Sequence, residues 1–217
     1  MSTHTPPLPT PVYRIVHVDC LATILARGAL HAPNTTPADG LAYRTIHDAN
    51  VQANRRVRQV QCGPGGTIHD YLPFYFGARS VMLLNLKSNR VAGYNEGQEP
   101  IVYLISSAQK IEASGAGFVF TDGHGLANFT QWFDSLTYLG AIDWPLLAGK
   151  YWNDTPQDND RQRRKQAEFL VLSQLNWELV QKIVVYSDRM KIKVEAILSS
   201  FPQRQQLPVV VDNGLYY

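Results

Sequence analysis

The chain has 217 residues, 45% of them apolar and 18% charged, and carries a net charge of +2. That length suits one domain, and the apolar fraction can fill a real core, which excludes a wholly disordered chain. No run approaches the roughly 18 uncharged apolar residues of a membrane span, and two cysteines, Cys20 and Cys62, cannot build a disulfide framework or a four-cysteine zinc site.

In chain order, Met1 to Pro11 is Thr/Pro-rich and reads as an extended lead-in. It lacks the basic start and apolar stretch of a signal peptide, so the expected compartment is the reducing cytoplasm. Val12 to Val18 has the β-branched and aromatic content of a strand, and Asp19 is placed to cap a short helix through Leu21, Ile24 and Leu25 ending at Gly28. His31 to Gly40 is loop composition. Tyr43 to Val60 fits a polar helix that Gly63-Pro64-Gly65-Gly66 breaks. His69 to Phe76 is an aromatic strand whose Pro73 argues for an edge or a bulge. Val81 to Leu84 opens a helix, Ile101 to Ile105 is a clear strand, and Ser106 to Gln109 begins a short capped helix.

Phe118 to Thr121 is the next strand, closed by the turn Asp122-Gly123-His124-Gly125, and Leu126 to Trp152 is expected to be mainly helical. Asn153 to Asp160 is a polar loop. Glu168 to Leu172 and Lys182 to Tyr186 are strands around an Asn176-Trp177 connection. Ser187 caps a helix over 188–199, and Val209 to Val211 is a short final strand. Strands and helices do not alternate as βαβ units, so the fold class is α+β in a single domain over 1–217.

Thirteen of the twenty basic residues are arginine, concentrated in Arg55-Arg56-Val57-Arg58 and Arg161-Gln162-Arg163-Arg164-Lys165. Arginine suits bidentate phosphate contacts and base stacking, although either run serves equally well as a solvated helix face. No Walker A, dinucleotide-binding glycine motif, zinc-protease motif or nucleophile elbow occurs. The six histidines lack ligand spacing, so no metal is expected, and both cysteines read as packing thiols. Gly63 to Gly66 could let backbone amides approach an anion or simply turn the chain. His124, between two glycines, is either a turn residue or a presented imidazole. Glu168 opens an apolar strand directly behind a basic run. It lies either at a solvated rim or where positive charge develops.

Tyr13-to-Asp19, His69-to-Phe76 with Arg79-Ser80, Gly97-to-Ile101, Phe118-to-Gly125 and Gln166-to-Val171 occur in order at compatible spacing. Together they resemble DarT, the DNA ADP-ribosyltransferase toxins of the DarT–DarG toxin–antitoxin systems, from about residue 10 to the final tyrosines. Arg14 stands where a relative carries histidine, and Leu72 where valine is usual. The stretch from Arg55 to Gly66 differs in length by about a residue, which leaves Arg55 and Arg58 open beside Arg56.

The resemblance implies an ADP-ribosyltransferase fold of two packed, curved β-sheets flanked by helices, with an NAD cleft between them. It implies NAD+ as co-substrate, no metal, and transfer of ADP-ribose to a base of single-stranded DNA, thymidine rather than guanosine. Glu168 would be the catalytic glutamate and Arg56 the essential arginine. Tyr13, Arg14 and His17 would wall the nicotinamide site, and Asn34 and Tyr43 would belong to a loop closing over the dinucleotide. Tyr75, Met82 and His124 would hold a splayed-out base, while Arg79, Arg161, Arg163 and Arg164 hold the DNA backbone. A DarG-type macrodomain antitoxin is the implied partner, with no membrane involved. The rival readings are the same fold acting on RNA or protein, and a non-catalytic single-strand binding module.

Overall fold

The runs richest in Val, Ile, Phe and Tyr form the strands, because branched and aromatic side chains fit a pleated, half-buried surface. The computed structural model describes residues 4–217, so the first three residues of the expected lead-in lie outside the described residues. The strands are β1 (Pro11–His17), β2 (Ala29–His31), β3 (Tyr71–Tyr75), β4 (Ile101–Ser107), β5 (Phe118–Thr121), β6 (Trp132–Phe133), β7 (Glu168–Leu172), β8 (Gln174–Asn176), β9 (Lys182–Val185) and β10 (Val209–Val211). The helices are α1 (Cys20–Arg27), α2 (Ala49–Val57), α3 (Val81–Lys87), α4 (Ala108–Ala113), α5 (Trp144–Ala148), α6 (Arg161–Arg164) and α7 (Asp188–Ser199).

Eight strands join in the order β10-β9-β4-β1-β3-β7-β5-β6, and β2 pairs with β8 separately. The fold is α+β, as expected. β1 pairs with β4 from Pro11↔Ser107 to His17↔Ile101, and β3 with β7 from Tyr71↔Leu172 to Tyr75↔Glu168. Between β1 and β3 only Tyr13↔Tyr75 is matched. The expected two sheets are therefore two halves that stay joined at one end of a seam.

Pro73 explains the seam. Its carbonyl accepts a hydrogen bond from Arg14 Nη1 at 2.8 Å, so this residue's backbone faces β1. A proline has no N–H to offer there, so the ladder stops and a side chain enters instead. Pro73 thus sits inside the sheet rather than at an edge, on the side where pairing is already lost.

The core is built on both faces of this sheet. Trp177, Tyr71, Tyr103, Phe74, Phe120 and Phe169 are fully buried, each contributing about 1.5–3 kcal/mol by leaving water. α1 buries Cys20, Leu21, Ile24 and Leu25 and ends at Gly28, whose φ of 74° is the left-handed conformation glycine adopts without strain. Asp19 precedes α1 but makes no capping bond, because its carboxylate is taken by Arg44 and Lys193. Ser107 and Ser187 do cap α4 and α7.

Two helical expectations change. α2 starts at Ala49, where Asp48 accepts from the Val51 N–H at 3.0 Å, so the preceding residues of the expected 43–60 helix are non-helical. Leu126 to Trp152 is not mainly helical: it holds β6, a 3-10 segment over Leu136–Ala141 and only the short α5. Its aromatics do not recur every three to four residues, so no helical face could form.

Candidate active site

The seam between the halves opens into a cavity of about 380 Å³ lined from β1, β3, β7, α2, α3 and the loop before α2. Glu168, the first residue of β7, points into it and is 3% exposed. Its carboxylate accepts two hydrogen bonds from Arg55, Nη1 to Oε1 at 2.9 Å and Nη2 to Oε2 at 2.7 Å. This is the parallel, bidentate geometry in which guanidinium and carboxylate interact most strongly. Burial alone would push the Glu168 carboxyl up. The adjacent Arg55 charge and its hydrogen bonds, with help from His124, hold it below the ordinary carboxylate range. Burial likewise works against the Arg55 charge, and Glu168 outweighs it.

Arg56 is displaced from this role by helical phase. α2 turns one face inward, carrying Gln52, Arg55 and Arg58 at three-residue spacing, and Arg56 points to solvent. The structure thus brings Arg55, not Arg56, to Glu168. Arg58, at the end of α2, donates instead to the Gly125 and Ala127 carbonyls at 3.3 and 3.2 Å. The three neighbouring arginines therefore face a carboxylate, water and a turn, respectively. His69 Nε2 lies 3.2 Å from Gln52 Oε1 and ties α2 to the start of β3.

Of the other expected dinucleotide contacts, Arg14, His17 and Tyr43 line the cavity and Tyr13 and Asn34 do not. Tyr13 packs edge-on against Tyr103, with ring centroids 6.1 Å apart, and Asn34 donates to Asp70 Oδ1 at 2.8 Å. Pro33 and Thr36 from the same loop reach the cavity in place of Asn34. Arg44 holds that loop down through ion pairs with Asp19 and Glu96, which also flank the His17 ring. Among the described residues, the buried polar atoms without a partner include Arg14 Nε, His17 Nε2, His31 Nδ1 and Tyr43 OH. All four residues line this cavity. Unpaired buried donors and acceptors are costly, and these four belong to residues of the cavity wall. His31, with Gln52 and Gln166, was absent from the sequence-based set.

Tyr75, Met82 and His124 also line the cavity. Tyr75 stands directly across from Glu168 in the β3–β7 ladder, so both side chains lie on one face. Its hydroxyl donates to Met82 Sδ at 3.5 Å, and burial with the nearby Glu168 charge pushes it up to about 12. Burial pushes the His124 imidazole below its ordinary value, with Glu168 pulling the other way. The turn that carries it needs Gly123, because a Cβ there would sit 2.9 Å from the Arg163 carbonyl oxygen.

The second arginine run is not a free basic surface. Arg163 Nη1 pairs with Asp122 at 2.7 Å and its Nη2 with Asp160 at 2.7 Å. Arg164 pairs with Asp143 at 2.9 Å and with Asp158. Arg161 donates to the carbonyls of Asn153 and Tyr151 at 3.0 and 2.9 Å. These side chains are spent on the loop 151–160 and the turn after β5 rather than offered to phosphates. Arg79 lies outside the cavity lining, in a left-handed conformation with φ of 54°, and the Tyr217 hydroxyl donates to its carbonyl at 2.5 Å. The Gly63–Gly66 run turns the chain and does not reach the cavity. Among the described residues, no cluster of His, Cys, Asp and Glu is arranged to hold a metal ion, and no helix is long and apolar enough to cross a membrane.

Comparison with known proteins agrees with this geometry. A family model described as "ssDNA thymidine ADP-ribosyltransferase, DarT" matches residues 13–217. A DNA ADP-ribosyl transferase of Thermus sp. (strain 2.9) is 41% identical over 213 residues, covering 98% of this chain and 99% of the relative. One from Escherichia coli O127:H6 is 34% identical, covering 95% and 93% respectively. The Thermus sp. 2.9 DarT in complex with ADP-ribosylated ssDNA superposes with a TM-score of 0.92 at 40% identity, covering 99% of this chain and all of that one. The same protein in complex with NAD+ gives 0.88, covering 98% of this chain and 100% of that one. The family model's match over residues 13–217 and this full-length likeness place the chain in the DarT family of single-stranded DNA thymidine ADP-ribosyltransferases.

Proposed function

We infer that this protein transfers ADP-ribose from NAD+ to thymidine in single-stranded DNA, in a sequence-dependent way, as the toxin of a toxin–antitoxin pair. The observation that carries the reading is the buried Glu168–Arg55 pair facing a cavity lined by Arg14, His17, His31 and Tyr43. Arg14, His17, His31 and Tyr43 would bind the dinucleotide, since they line the cavity with groups that match its phosphates, hydroxyls and amide. Arg55 takes the place proposed from the sequence for Arg56.

In the reaction the bond between ribose C1′ and the nicotinamide nitrogen breaks, and its electron pair leaves with nicotinamide. C1′ becomes oxocarbenium-like, and an anionic Glu168 fixed nearby stabilises that charge. Arg55 keeps Glu168 ionised and immobile, so no reorganisation is needed when the charge appears. A thymine ring nitrogen then bonds to C1′ and gives up its proton, which the Glu168 carboxylate would accept. Tyr75 and His124 would hold the base by hydrogen bonds to its carbonyls, the imidazole acting in its neutral form. A base must leave its stack to enter such a cavity, which is cheapest from a single strand. A macrodomain antitoxin of the DarG type is the proposed partner, and the cytoplasm the proposed compartment.

Transfer of label from NAD+ to synthetic oligonucleotides tests the reading. Label should enter single strands containing thymidine and should be absent from thymidine-free DNA, duplex DNA, RNA and added protein. Equal labelling of RNA or protein would move the activity to another acceptor, and NAD+ binding without any turnover would leave only a binding module.

A further inference from the structure

The turn between β5 and β6 is fixed from both sides. Arg58 holds the Gly125 and Ala127 carbonyls, and the Thr130 hydroxyl donates to the His124 carbonyl at 2.8 Å. Arg163, itself clamped by Asp122 and Asp160, also donates to Thr130 Oγ1 at 3.3 Å. Thr130 is 4% exposed, whereas the neighbouring Phe129 is 69% exposed. The Arg163 guanidinium carbon lies 5.1 Å from the Phe129 ring centroid, so a fixed cation backs the ring. Beyond that contact, most of the Phe129 ring faces water in the free protein. It is ready to stack on another flat group without further loss of side-chain freedom.

We propose that Phe129 is the stacking platform for a base adjoining the modified one in the acceptor strand, so that this single turn reads two nucleotides. The proposal rests on the DNA-transfer reading above. His124 faces the cavity from the inner side of the turn, and Phe129 sits on its outer side, five residues further on and anchored through Thr130. A strand whose reactive base enters beside His124 must leave along the rim of this turn. The ring stands next to exposed Asn128 and buried Thr130 rather than within an apolar patch, which fits the face of one base better than a protein surface.

Stacking of one base on an aromatic ring changes affinity by roughly 5- to 150-fold. The test uses single-stranded oligonucleotides with one thymidine, in which each flanking nucleotide is replaced in turn by an abasic residue. With the wild-type protein, an abasic residue at one flank should raise KM by that factor. Phe129→Ala should raise KM for the intact oligonucleotide similarly, make the same abasic substitution inconsequential, and leave NAD+ affinity unchanged. Phe129→Trp should restore both the KM and the penalty. A wild-type KM for Phe129→Ala, or abasic penalties that simply multiply with it, would overturn the proposal. Failure of the wild-type protein to label any thymidine-containing strand would instead refute the underlying activity.

Discussion

Replacing Arg55 and Arg56 separately by alanine divides two readings that the sequence alone left open. Arg55 is 7% exposed and both its terminal nitrogens are bonded to Glu168, whereas Arg56 is exposed. Removing one partner of a buried ion pair strands the other, at a cost of about 3–5 kcal/mol. For a protein of this size that corresponds to a fall in Tm of roughly 6–20 °C. Arg56→Ala should stay within about 0.5 kcal/mol of wild type.

The pH dependence of the Arg55 variant supplies a second readout. In the wild type Glu168 is held below its ordinary range, so its contribution to stability is present above the unfolded carboxyl value of about 4.3 and lost as pH falls. Without Arg55, burial dominates and the Glu168 carboxyl rises, so the variant's stability should decline as pH climbs from about 4.3 towards that raised value and level off above it. Residual transfer should climb as pH passes the raised value and Glu168 ionises. Thermal unfolding and labelled-NAD+ transfer between pH 5 and 9 measure both. Loss of transfer in Arg56→Ala with a stable, active Arg55→Ala would refute the assignment.

Three further outcomes follow from the geometry. Arg163→Ala and Arg164→Ala should lower Tm and weaken both NAD+ and DNA binding, because their carboxylate partners would be left unpaired; a selective loss of DNA affinity at unchanged Tm would restore them to a phosphate-binding role. Burial pushes His17, His31, His47, His69 and His124 below their ordinary value, so the unfolded chain takes up protons that the folded chain refuses. Stability should therefore fall as pH drops from about 6.5 to 5, and a denaturation midpoint that stays level or rises over that interval would contradict it. Tyr75→Phe and His124→Ala should raise KM for the oligonucleotide more than they alter NAD+ affinity, as titration of each ligand separately would reveal.

Strand content was legible because β-branched and aromatic runs such as Ile101 to Ile105 have few alternatives to a buried strand. Glu168 was legible as a carboxylate at the head of such a strand, although only the resemblance gave it a role. The arginine facing it was not, since adjacent positions differ by one helical phase step that a one-residue length difference erases. The phase was nonetheless present in the spacing of Gln52, Arg55 and Arg58, with Asp48 as the cap that sets it. The ion pairing of the second arginine run was only partly legible in the sequence. Asp158 and Asp160 precede it directly, and Asp122 and Asp143 arrive only through folding. The segment from Leu126 to Trp152 carries apolar residues without a period, so tertiary contacts alone decide its path. Pro73 misled for a related reason: local rules say where a donor is missing, not that Arg14 fills the gap.

The most direct test of the account is Glu168→Gln, which keeps the side chain's shape and removes its charge. Losing an electrostatic stabiliser of this kind costs on the order of 10²- to 10³-fold in rate. Transfer from NAD+ to a thymidine-containing single strand should fall by at least that factor when measured below the variant's lowered Tm, since Gln leaves the buried Arg55 charge unpaired, while NAD+ affinity persists. Transfer near the wild-type rate would contradict the central claim that Glu168, held ionised by Arg55, stabilises the developing ribosyl cation.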